Sequence, residues 1–464
     1  MSDPTDIDQH HSNGEGHAMT TASMTSGSGR LPPKRQLQRI VAASIAGNAL
    51  QWYDFFLYGT AAALVFSKLF FPTGTDPLTG TLAAFAGFAV GFAARPVGGI
   101  LFGHIGDRLG RKRALVLTLT IMGGATFAMG LLPTYEQVGL WAPVLLVALR
   151  LVQGIAAGGE WGGGVLIISE NAPPERRGFF SAWSQVGVAG GFVLSAGAFY
   201  LAQLLPDDAF MSWGWRLPFL GSIAIFALGI YIRAKLPDTA AFEAVQKEGA
   251  DAKHSMPLFE VLRRHPREVL LAMGLRVAEN GGSYIFLAFA LAYGKFVGVA
   301  SDVMLLGVML SMTVELASIV FFGHLSDRIG RKPVFLFGAI GLVVVAFPFF
   351  WMIDTHQTPL ILLAFLLGNA LCHGAMVGTM PAFFTELFDP DVRYTGVALG
   401  HEIASVFAGG LSPLIATALL ASFQSSWPVS LYLAGLGLMS IIAVLSARET
   451  AVNALARRQV GAAA

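Results

Sequence analysis

The sequence predicts an all-α membrane protein with twelve transmembrane helices arranged as two homologous six-helix bundles. Of its 464 residues, 54% are hydrophobic and only 13% are charged, a composition that ordinary soluble domains do not have. Apolar stretches long enough to cross a bilayer occur in two groups of six. Each group contains a nearly identical hydrophilic segment, which indicates an internal duplication.

The duplicated segment is ten residues long. GHIGDRLGRK begins at Gly103, and GHLSDRIGRK begins at Gly323. Each half also contains a second repeated pattern, which we call the second echo: an acid near the end of one apolar stretch and an arginine shortly after it. These four residues are Glu170, Arg177, Glu386 and Arg393. Homologous halves around a central pathway are typical of secondary transporters.

Hydropathy divides the chain into five parts. Residues 1–38 lack the basic and apolar regions of a signal peptide, and we expect a disordered cytoplasmic tail. Residues 39–234 form the first bundle, 235–267 a cytoplasmic linker, 268–447 the second bundle and 448–464 another cytoplasmic tail. The expected spans are 39–66, 81–103, 114–133, 141–170, 179–204, 216–234, 268–297, 303–323, 334–353, 359–386, 394–421 and 427–447.

Positive charge predicts the orientation of these helices. Nearly all loop Lys and Arg residues lie in the tail and in the turns after the even-numbered helices, so the positive-inside rule places both termini in the cytoplasm. The single cysteine, Cys372, excludes an intrachain disulfide. No phosphate-binding loop of the G-x-x-x-x-G-K-[S/T] type is present. We therefore expect no ATP, no metal, no organic cofactor and no nucleic acid as partners, and the lipid bilayer as surroundings.

The duplicated segment also predicts a gating latch. Its aspartate can bind the N-terminal end of a neighbouring helix, and its arginines can reach the acid of the second echo. Such bonds would hold the cytoplasmic side closed and break on opening. Charge anchoring alone would explain one copy, but two complete copies favour the latch. The latch residues are Gly103, Asp107, Arg108, Arg111, Glu170, Arg177, Asp327, Arg328, Arg331, Glu386 and Arg393.

Charged residues within the spans of the first half are few, and each is costly unless it has a partner or a wet cavity. Asp54 lies half-way along helix 1 among aromatic residues. Its apolar surroundings suit a proton carrier, and a permanently paired structural carboxylate is the alternative. We expect Arg150 in helix 4 to face Asp54, so that substrate and proton compete for one partner. Arg95 in helix 2 is interpreted as structural, near the cytoplasmic end.

The second half has its own charged candidates. Arg276 and Glu279 are spaced for an ion pair on one helix, and Arg276 is alternatively a second anchor for an anionic substrate. His373 in helix 10 is either a coupling group or a hydrogen-bonded packing residue. Glu402 in helix 11 is a further acid. The proton-coupling candidates are Asp54, Glu279, Glu402 and His373, and the substrate-binding candidates are Arg150, Arg276, Tyr53, Tyr58, Gln51 and Tyr284.

These motifs resemble those of a known family. The pattern GxxxDRxGR[K/R], repeated after helices 2 and 8, resembles the signature of the major facilitator superfamily, and the likeness covers the chain after the tail. A narrower resemblance, to the metabolite:proton symporter family, rests on Gly47–Phe55, Arg95-Pro96 and Gly158–Gly163. It implies the major facilitator fold, alternating access and a multi-pass protein of the bacterial cytoplasmic (inner) membrane. Two departures stand out: Gln51 where an acid is common, and Glu402 where a glutamine is common.

The resemblance implies a proton-coupled symporter whose partners are a small organic acid and H+. The acid would be shikimate-like or another mono- or dicarboxylate, and we expect the protein to work as a monomer. Symport of a zwitterionic osmolyte such as proline or betaine is one alternative, and facilitated passage or export of aromatic acids is another. An enzyme is not expected, because neither a catalytic constellation nor an appended soluble domain is visible in the sequence.

Overall fold

The structure is a computed structural model and is almost entirely helical. No β-strand occurs within the ranges it describes, in agreement with the predicted all-α class. The described residues are 34–71, 77–109, 111–158, 160–234, 257–389 and 393–463.

Six long helices make up the first half. They are α1 (Lys34–Ala61, continued by a π-helical turn, Ala62–Phe66), α2 (Pro77–Leu109), α3 (Arg111–Gly130), α4 (Trp141–Ala157 and, after a break, Trp161–Asn171), α5 (Arg177–Gln203) and α6 (Leu217–Ala234).

Six further helices make up the second half, and three of them contain π-helical segments. They are α7 (Pro266–Tyr284, Ile285–Phe289 as π-helix, Ala290–Val297), α8 (Ser301–Ile329), α9 (Arg331–Asp354), α10 (Thr358–Phe365, Leu366–His373 as π-helix, Gly374–Leu387), α11 (Arg393–Ala404, Ser405–Gly410 as π-helix, Ser412–Phe423) and α12 (Trp427–Ser446).

Three of the predicted parts contain helices that the sequence analysis does not foresee. Because α1 begins at Lys34, the last residues of the predicted 1–38 tail are helical. The predicted linker contains a short helix, Pro257–Arg264, whereas the predicted C-terminal tail contains the helix Val452–Ala463. Residues 1–33 and 235–256 lie outside the described part of the chain.

Hydropathy alone identifies eight of the described helices as long and apolar enough to span a membrane, namely α2, α5, α6 and α8–α12. α3 and α4 contribute shorter apolar stretches. The other two, α1 and α7, carry buried polar side chains that lower their hydropathy, including Asp54 in α1 and Arg276 and Glu279 in α7. The two helices that hydropathy misses thus each carry candidate functional residues in their buried polar set.

Glycines allow α2 and α4 to cross at backbone contact. A Cβ atom on Gly154 would lie 2.0 Å from the carbonyl oxygen of Gly91, and one on Gly158 would lie 1.9 Å from that of Arg95. The second half repeats this packing between α8 and α10, where a Cβ on Gly378 would lie 2.4 Å from the carbonyl of Ile319. Small residues at such crossings are how membrane helices approach closely.

The two halves meet along two pairs of helices. α5 packs along α8, and α2 packs along α11. We call the side that carries the α2–α3 and α8–α9 connections the hinge side. Both pairs run from the hinge side to the opposite side.

We predict that Gly154→Ala destabilises the protein. The new methyl would force α2 and α4 apart, and overpacking of this kind costs about 1–3 kcal/mol. Thermal unfolding in detergent, followed by intrinsic fluorescence, should show a Tm several degrees lower. Gly197→Ala in α5 is the control, since nothing lies within 4 Å of its added Cβ. An equal Tm for the two variants would contradict the close crossing.

Candidate functional site

Buried charged and titratable side chains gather between the two halves. Each member of this set is at most 7% exposed. Such residues are expensive in a membrane protein and usually mark a functional region. The set comprises Asp54, Arg95, Arg150, Arg276, Glu279, Glu315, His373, His401 and Glu402.

Arg150 is a fully buried cation without an acidic partner among the described residues. Its Nη1 donates a hydrogen bond to the side-chain oxygen of Gln153, while Nε and Nη2 have no partner. The guanidinium carbon lies 4.2 Å from the ring centre of Phe55, 4.4 Å from that of Tyr58 and 4.9 Å from that of Phe88. Aromatic faces stabilise a cation only partly, so Arg150 retains two unused donors.

Asp54 lies in the same neighbourhood but forms no ion pair with Arg150. Neither carboxyl oxygen of Asp54 has a hydrogen-bond partner, although Arg150, Thr126 and Gln153 are close enough to interact electrostatically. Gln153 binds Arg150 on one side and donates to the Thr126 hydroxyl on the other, at 2.8 Å. The expected direct pair is thus absent from this state, because a neutral amide takes the place of the carboxylate.

Arg95 and Glu402 form an ion pair across the two halves. Nε of Arg95 lies 2.6 Å from Oε2 of Glu402, and Nη2 lies 3.1 Å from Oε1. His401 Nδ1 is 2.8 Å from the same Oε1, and the His401 ring stacks on Trp161 with 3.6 Å between ring centres. Arg95 is completely buried and joins α2 to α11, a contact that is consistent with the structural role expected of it.

A chain of polar contacts crosses the second half. Arg276 pairs with Glu279, as the spacing predicts. Oε1 of Glu279 lies 3.3 Å from His373 Nε2, and His373 Nδ1 contacts Glu315. Asn369 donates to the remaining Glu315 oxygen at 2.9 Å. The imidazole therefore bridges two carboxylates.

Glu315 is absent from the sequence-based set of candidate site residues. A signal for it exists in the repeat: Glu315 precedes Asp327 by the same number of residues as Arg95 precedes Asp107. Equivalent positions in the two halves thus hold an acidic residue, Glu315, and a cationic residue, Arg95. Both are buried in the centre of the protein.

Two predicted substrate contacts use their polar groups within the first bundle. The Tyr53 hydroxyl donates to the carbonyl of Pro218 in α6 at 2.8 Å, so it is directed away from the other half. Gln51 donates to the carbonyl of Ala157 at 3.2 Å, while its own side-chain oxygen has no partner. Tyr53 is therefore a packing residue in this state.

Two other predicted contacts retain unused hydroxyls. Neither the Tyr58 nor the Tyr284 hydroxyl has a hydrogen-bond partner, although both are buried. The Tyr284 ring packs against Phe88 and Phe92 of α2, with ring centres 5.3 Å and 5.4 Å apart. Tyr284 thus brings α7 of the second half close to α2 of the first.

A narrow apolar cleft opens between the halves on the side opposite the hinge. It offers about 50 Å³ of free space. Its lining includes Phe55, Phe88, Phe199, Tyr284, Leu287 and Val308. Because α5 begins at the hinge side, Phe199 near its far end places the cleft on the opposite side.

The hinge side is closed by the second copy of the duplicated segment. The two carboxyl oxygens of Asp327 accept hydrogen bonds from the backbone N–H groups of Gly178 and Phe179, each at 2.8 Å. These residues form the first turn of α5, where unpaired N–H groups and the helix dipole favour an anion. An acid of one half thus caps a helix of the other.

Further contacts surround this cap. Arg331 binds Asp327 at 2.8 Å and both oxygens of Glu386 at 3.1 Å. Arg177 lies 3.5 Å from Glu386 across the interface, and Arg393 lies 4.0 Å from Glu170 in the opposite sense. Six of the predicted latch residues are thus brought together around the closed hinge.

The remaining latch candidates differ. Arg328 is exposed and forms no ion pair within the described part of the chain. Gly103, Asp107, Arg108 and Arg111 lie in helical segments, but their side chains are outside the described set. Their predicted role remains a prediction.

The C-terminal segment, which the sequence leaves as a tail, reinforces the hinge. Glu449 accepts hydrogen bonds from the backbone N–H groups of Arg331 and Lys332, at 2.8 Å and 3.1 Å. The Thr450 hydroxyl donates to Glu386 at 2.6 Å. Asn453 donates to the carbonyl oxygens of Glu175 and Asp327, each at 3.1 Å, and so touches both halves.

Comparison with known proteins identifies the family. The sequence profile of the Major Facilitator Superfamily matches residues 41–413, with a second match over 280–461. The chain belongs to the Major Facilitator Superfamily. Membership confirms the predicted twelve-helix, two-bundle fold and makes the chain a multi-pass membrane transporter rather than an enzyme.

Two transporters are similar to this major facilitator protein over most of its length. The shikimate transporter of Escherichia coli (strain K12) is 41% identical over 416 residues, which cover 89% of this chain and 95% of that protein. The proline/betaine transporter of the same organism is 34% identical over 428 residues, covering 90% and 84%.

A solved structure has the same fold. The proton:xylose symporter XylE bound to 6-bromo-6-deoxy-D-glucose matches with a TM-score of 0.72 at 18% sequence identity, covering 89% of this chain and 96% of that one. At this identity the likeness concerns the arrangement of helices.

We predict that Asp327→Asn destabilises the closed hinge of this transporter. A charge-assisted hydrogen bond contributes about 1.5–3 kcal/mol, and here it is lost from the hinge-closed state alone. In a Cys372→Ala background, a reporter cysteine replacing Ser169 should react with a maleimide roughly tenfold faster. Ser169 suits this purpose because it is buried at the interface, 2.7 Å from Thr385 of the other half.

The matched control is Asp302→Asn, which removes an exposed acid from the first turn of α8, far from the hinge. Its labelling rate should equal that of the parent. Equal rates for Asp327→Asn and the parent would rule out a latch at Asp327.

Proposed function

We propose that this transporter is a proton-coupled symporter that imports a small organic acid by alternating access. The proposal rests chiefly on Arg150, which is completely buried with a neutral hydrogen-bond partner and two free nitrogens. A guanidinium in an apolar interior requires an anion, and its fork matches a carboxylate. A substrate carboxylate would supply that anion.

Unused donors near Arg150 support a substrate that also carries hydroxyl groups. Leaving a buried polar group unsatisfied costs about 1–3 kcal/mol, so a ligand that binds several of them gains affinity. A shikimate-like acid has hydroxyl groups that could bind these unpaired atoms and one ring that could pack between the aromatic side chains. The unpaired atoms are Arg95 Nη1, Tyr58 Oη and Tyr284 Oη. The 41% identity to a shikimate transporter agrees with this substrate class.

Asp54 carries the proton in this proposal. A carboxylate without a hydrogen-bond partner is costly in an apolar interior, whereas a protonated carboxyl costs much less. Substrate bound to Arg150 would leave Asp54 protonated, and release of both would let Asp54 and Arg150 pair. Glu279 and Glu402 are weaker candidates, since each already has an arginine and a histidine partner. His373 would act as a relay beside Glu279.

The cycle needs a closed side and an open side. The hinge contacts close one side of this structure, while the apolar cleft lies between the halves toward the other side. We place the hinge side and both termini in the cytoplasm of a bacterium, with the protein a monomer in the inner membrane. The proton is the only coupling species, with no ATP, metal or organic cofactor.

A zwitterionic osmolyte is the alternative substrate class. It is favoured by the 34% identity to a proline/betaine transporter and by the aromatic residues around Arg150, since aromatic faces bind quaternary ammonium groups. Facilitated passage or export of an aromatic acid is a further alternative for the mode of transport.

Uptake into proteoliposomes distinguishes these functions. A proton gradient with the acidic side outside should drive accumulation of labelled shikimate or another organic acid. A protonophore should abolish this accumulation. Competition by a panel of organic acids, proline and betaine then assigns the substrate class. Displacement by betaine or proline alone would replace the organic acid with the osmolyte alternative.

We predict that Asp54→Asn abolishes accumulation against a gradient while exchange of substrate across the membrane persists. An amide cannot take up and release a proton, yet it has nearly the same shape. The measurements are uptake driven by a pH gradient and counterflow without one. Asp208→Asn, at an exposed acid in a short helix, is the control. Accumulation by Asp54→Asn at the wild-type level would assign Asp54 a structural role.

We predict that Arg150→Lys weakens binding of the organic acid at least tenfold. Lysine keeps the charge but loses the planar fork, and tenfold corresponds to about 1.4 kcal/mol. Affinity is measured by competition with a labelled substrate. Arg216→Lys is the matched control, because Arg216 binds the backbone carbonyls of Gly130 and Leu132 outside the centre. Wild-type affinity in Arg150→Lys would exclude the guanidinium as the anion site.

A further inference from the structure

The three central arginines differ in what neutralises them. Arg95 is paired with Glu402, and Arg276 is paired with Glu279. Arg150 has no acidic partner within the described residues and hydrogen-bonds only to Gln153. The protein itself thus supplies carboxylates to Arg95 and Arg276, and only Arg150 remains as the anion site of the proposed function.

Glu402 engages Arg95 as a bound carboxylate would. Its two oxygens meet Nε and Nη2 along one edge of the guanidinium, at 2.6 Å and 3.1 Å. His401 adds a third contact to Oε1, and the glutamate is only 4% exposed. The edge of Arg95 best suited to a second carboxylate is therefore occupied, and only Nη1 remains free.

Arg95 lies close to the proposed anion site. The guanidinium carbon of Arg95 is 5.1 Å from the ring centre of Phe55, and that of Arg150 is 4.2 Å from the same ring. The two cations are no farther apart than these two distances together. A small dicarboxylate held at Arg150 thus has its second charge within reach of the Arg95–Glu402 pair.

We propose that Glu402 is a built-in carboxylate that restricts the substrate to a single negative charge. An acid with one carboxylate binds Arg150 and leaves the Arg95–Glu402 pair intact. A dicarboxylate would place its second charge beside Arg95, whose fork Glu402 already occupies, so that this charge would remain unpaired in a low-dielectric interior. The acid at position 402 thus selects by charge, and this selection rests on the proposed function.

Binding to the purified full-length protein tests this proposal with two ligands of one skeleton, cyclohexanecarboxylate and cyclohexane-1,3-dicarboxylate. Affinity is measured by isothermal titration calorimetry, so that no transport step is required. The wild type should bind the monocarboxylate at least tenfold more tightly. Glu402→Gln keeps the size of the side chain but removes its charge, and it should bind the dicarboxylate at least tenfold more tightly than the wild type does.

The control is the double variant Arg95→Gln/Glu402→Gln, which removes both charges of the pair. It should still prefer the monocarboxylate, because no second cation is available. A gain in dicarboxylate affinity in the double variant would show that loss of negative charge, rather than release of Arg95, is responsible, and would overturn the assignment. An unchanged preference in Glu402→Gln would overturn it as well.

The wild type separates this proposal from the function on which it rests. Equal affinity for the two acids overturns charge selection by Glu402 even if Glu402→Gln does not fold. Binding of neither acid, together with binding of betaine or proline, instead rejects the organic-acid function.

Discussion

A cation buried away from water has to be neutralised, and that constraint governs the centre of this protein. Arg95 and Arg276 are neutralised by acids of the chain itself. Arg150 is surrounded by aromatic rings and one amide, which satisfy it only in part. A buried charge without an oppositely charged partner is strongly destabilising. Arg150 therefore gains a large interaction energy from any anion that reaches it.

The same constraint operates at the hinge in a different form. There the unsatisfied groups are the first N–H groups of α5, and Asp327 of the other half satisfies them. Arg331 and Glu386 hold that carboxylate in place. The two halves are thus joined by an ion pair at the centre and by a helix cap at one end, both of which depend on alignment of the halves.

Much of this arrangement could be predicted from the sequence. The duplicated segment and the apolar stretches are local patterns, so they predicted the two bundles and the helix count. The i, i+3 spacing of Arg276 and Glu279 likewise predicted their pairing, because both lie on one helix. The latch prediction identified Asp327 and Arg331 from charge complementarity between the two echoes.

The remaining features depend on which helix faces meet, which one sequence does not reveal. Arg95 and Glu402 are 307 residues apart, and no local pattern indicates their contact. The direction of the Tyr53 hydroxyl depends on how α1 rotates against α6. The offset between the repeats is a further sequence signal, because it shows that Glu315 and Arg95 occupy equivalent positions in the two halves.

The C-terminal segment has a consequence for how the protein is made and handled. Glu449, Thr450 and Asn453 complete the hinge contacts, yet they follow α12 in the chain. The hinge can therefore acquire its full set of contacts only after all twelve helices have left the ribosome. An affinity tag placed directly after the helix Val452–Ala463 would follow these contacts closely in the chain, whereas a tag placed before α1 would be separated from them by both bundles.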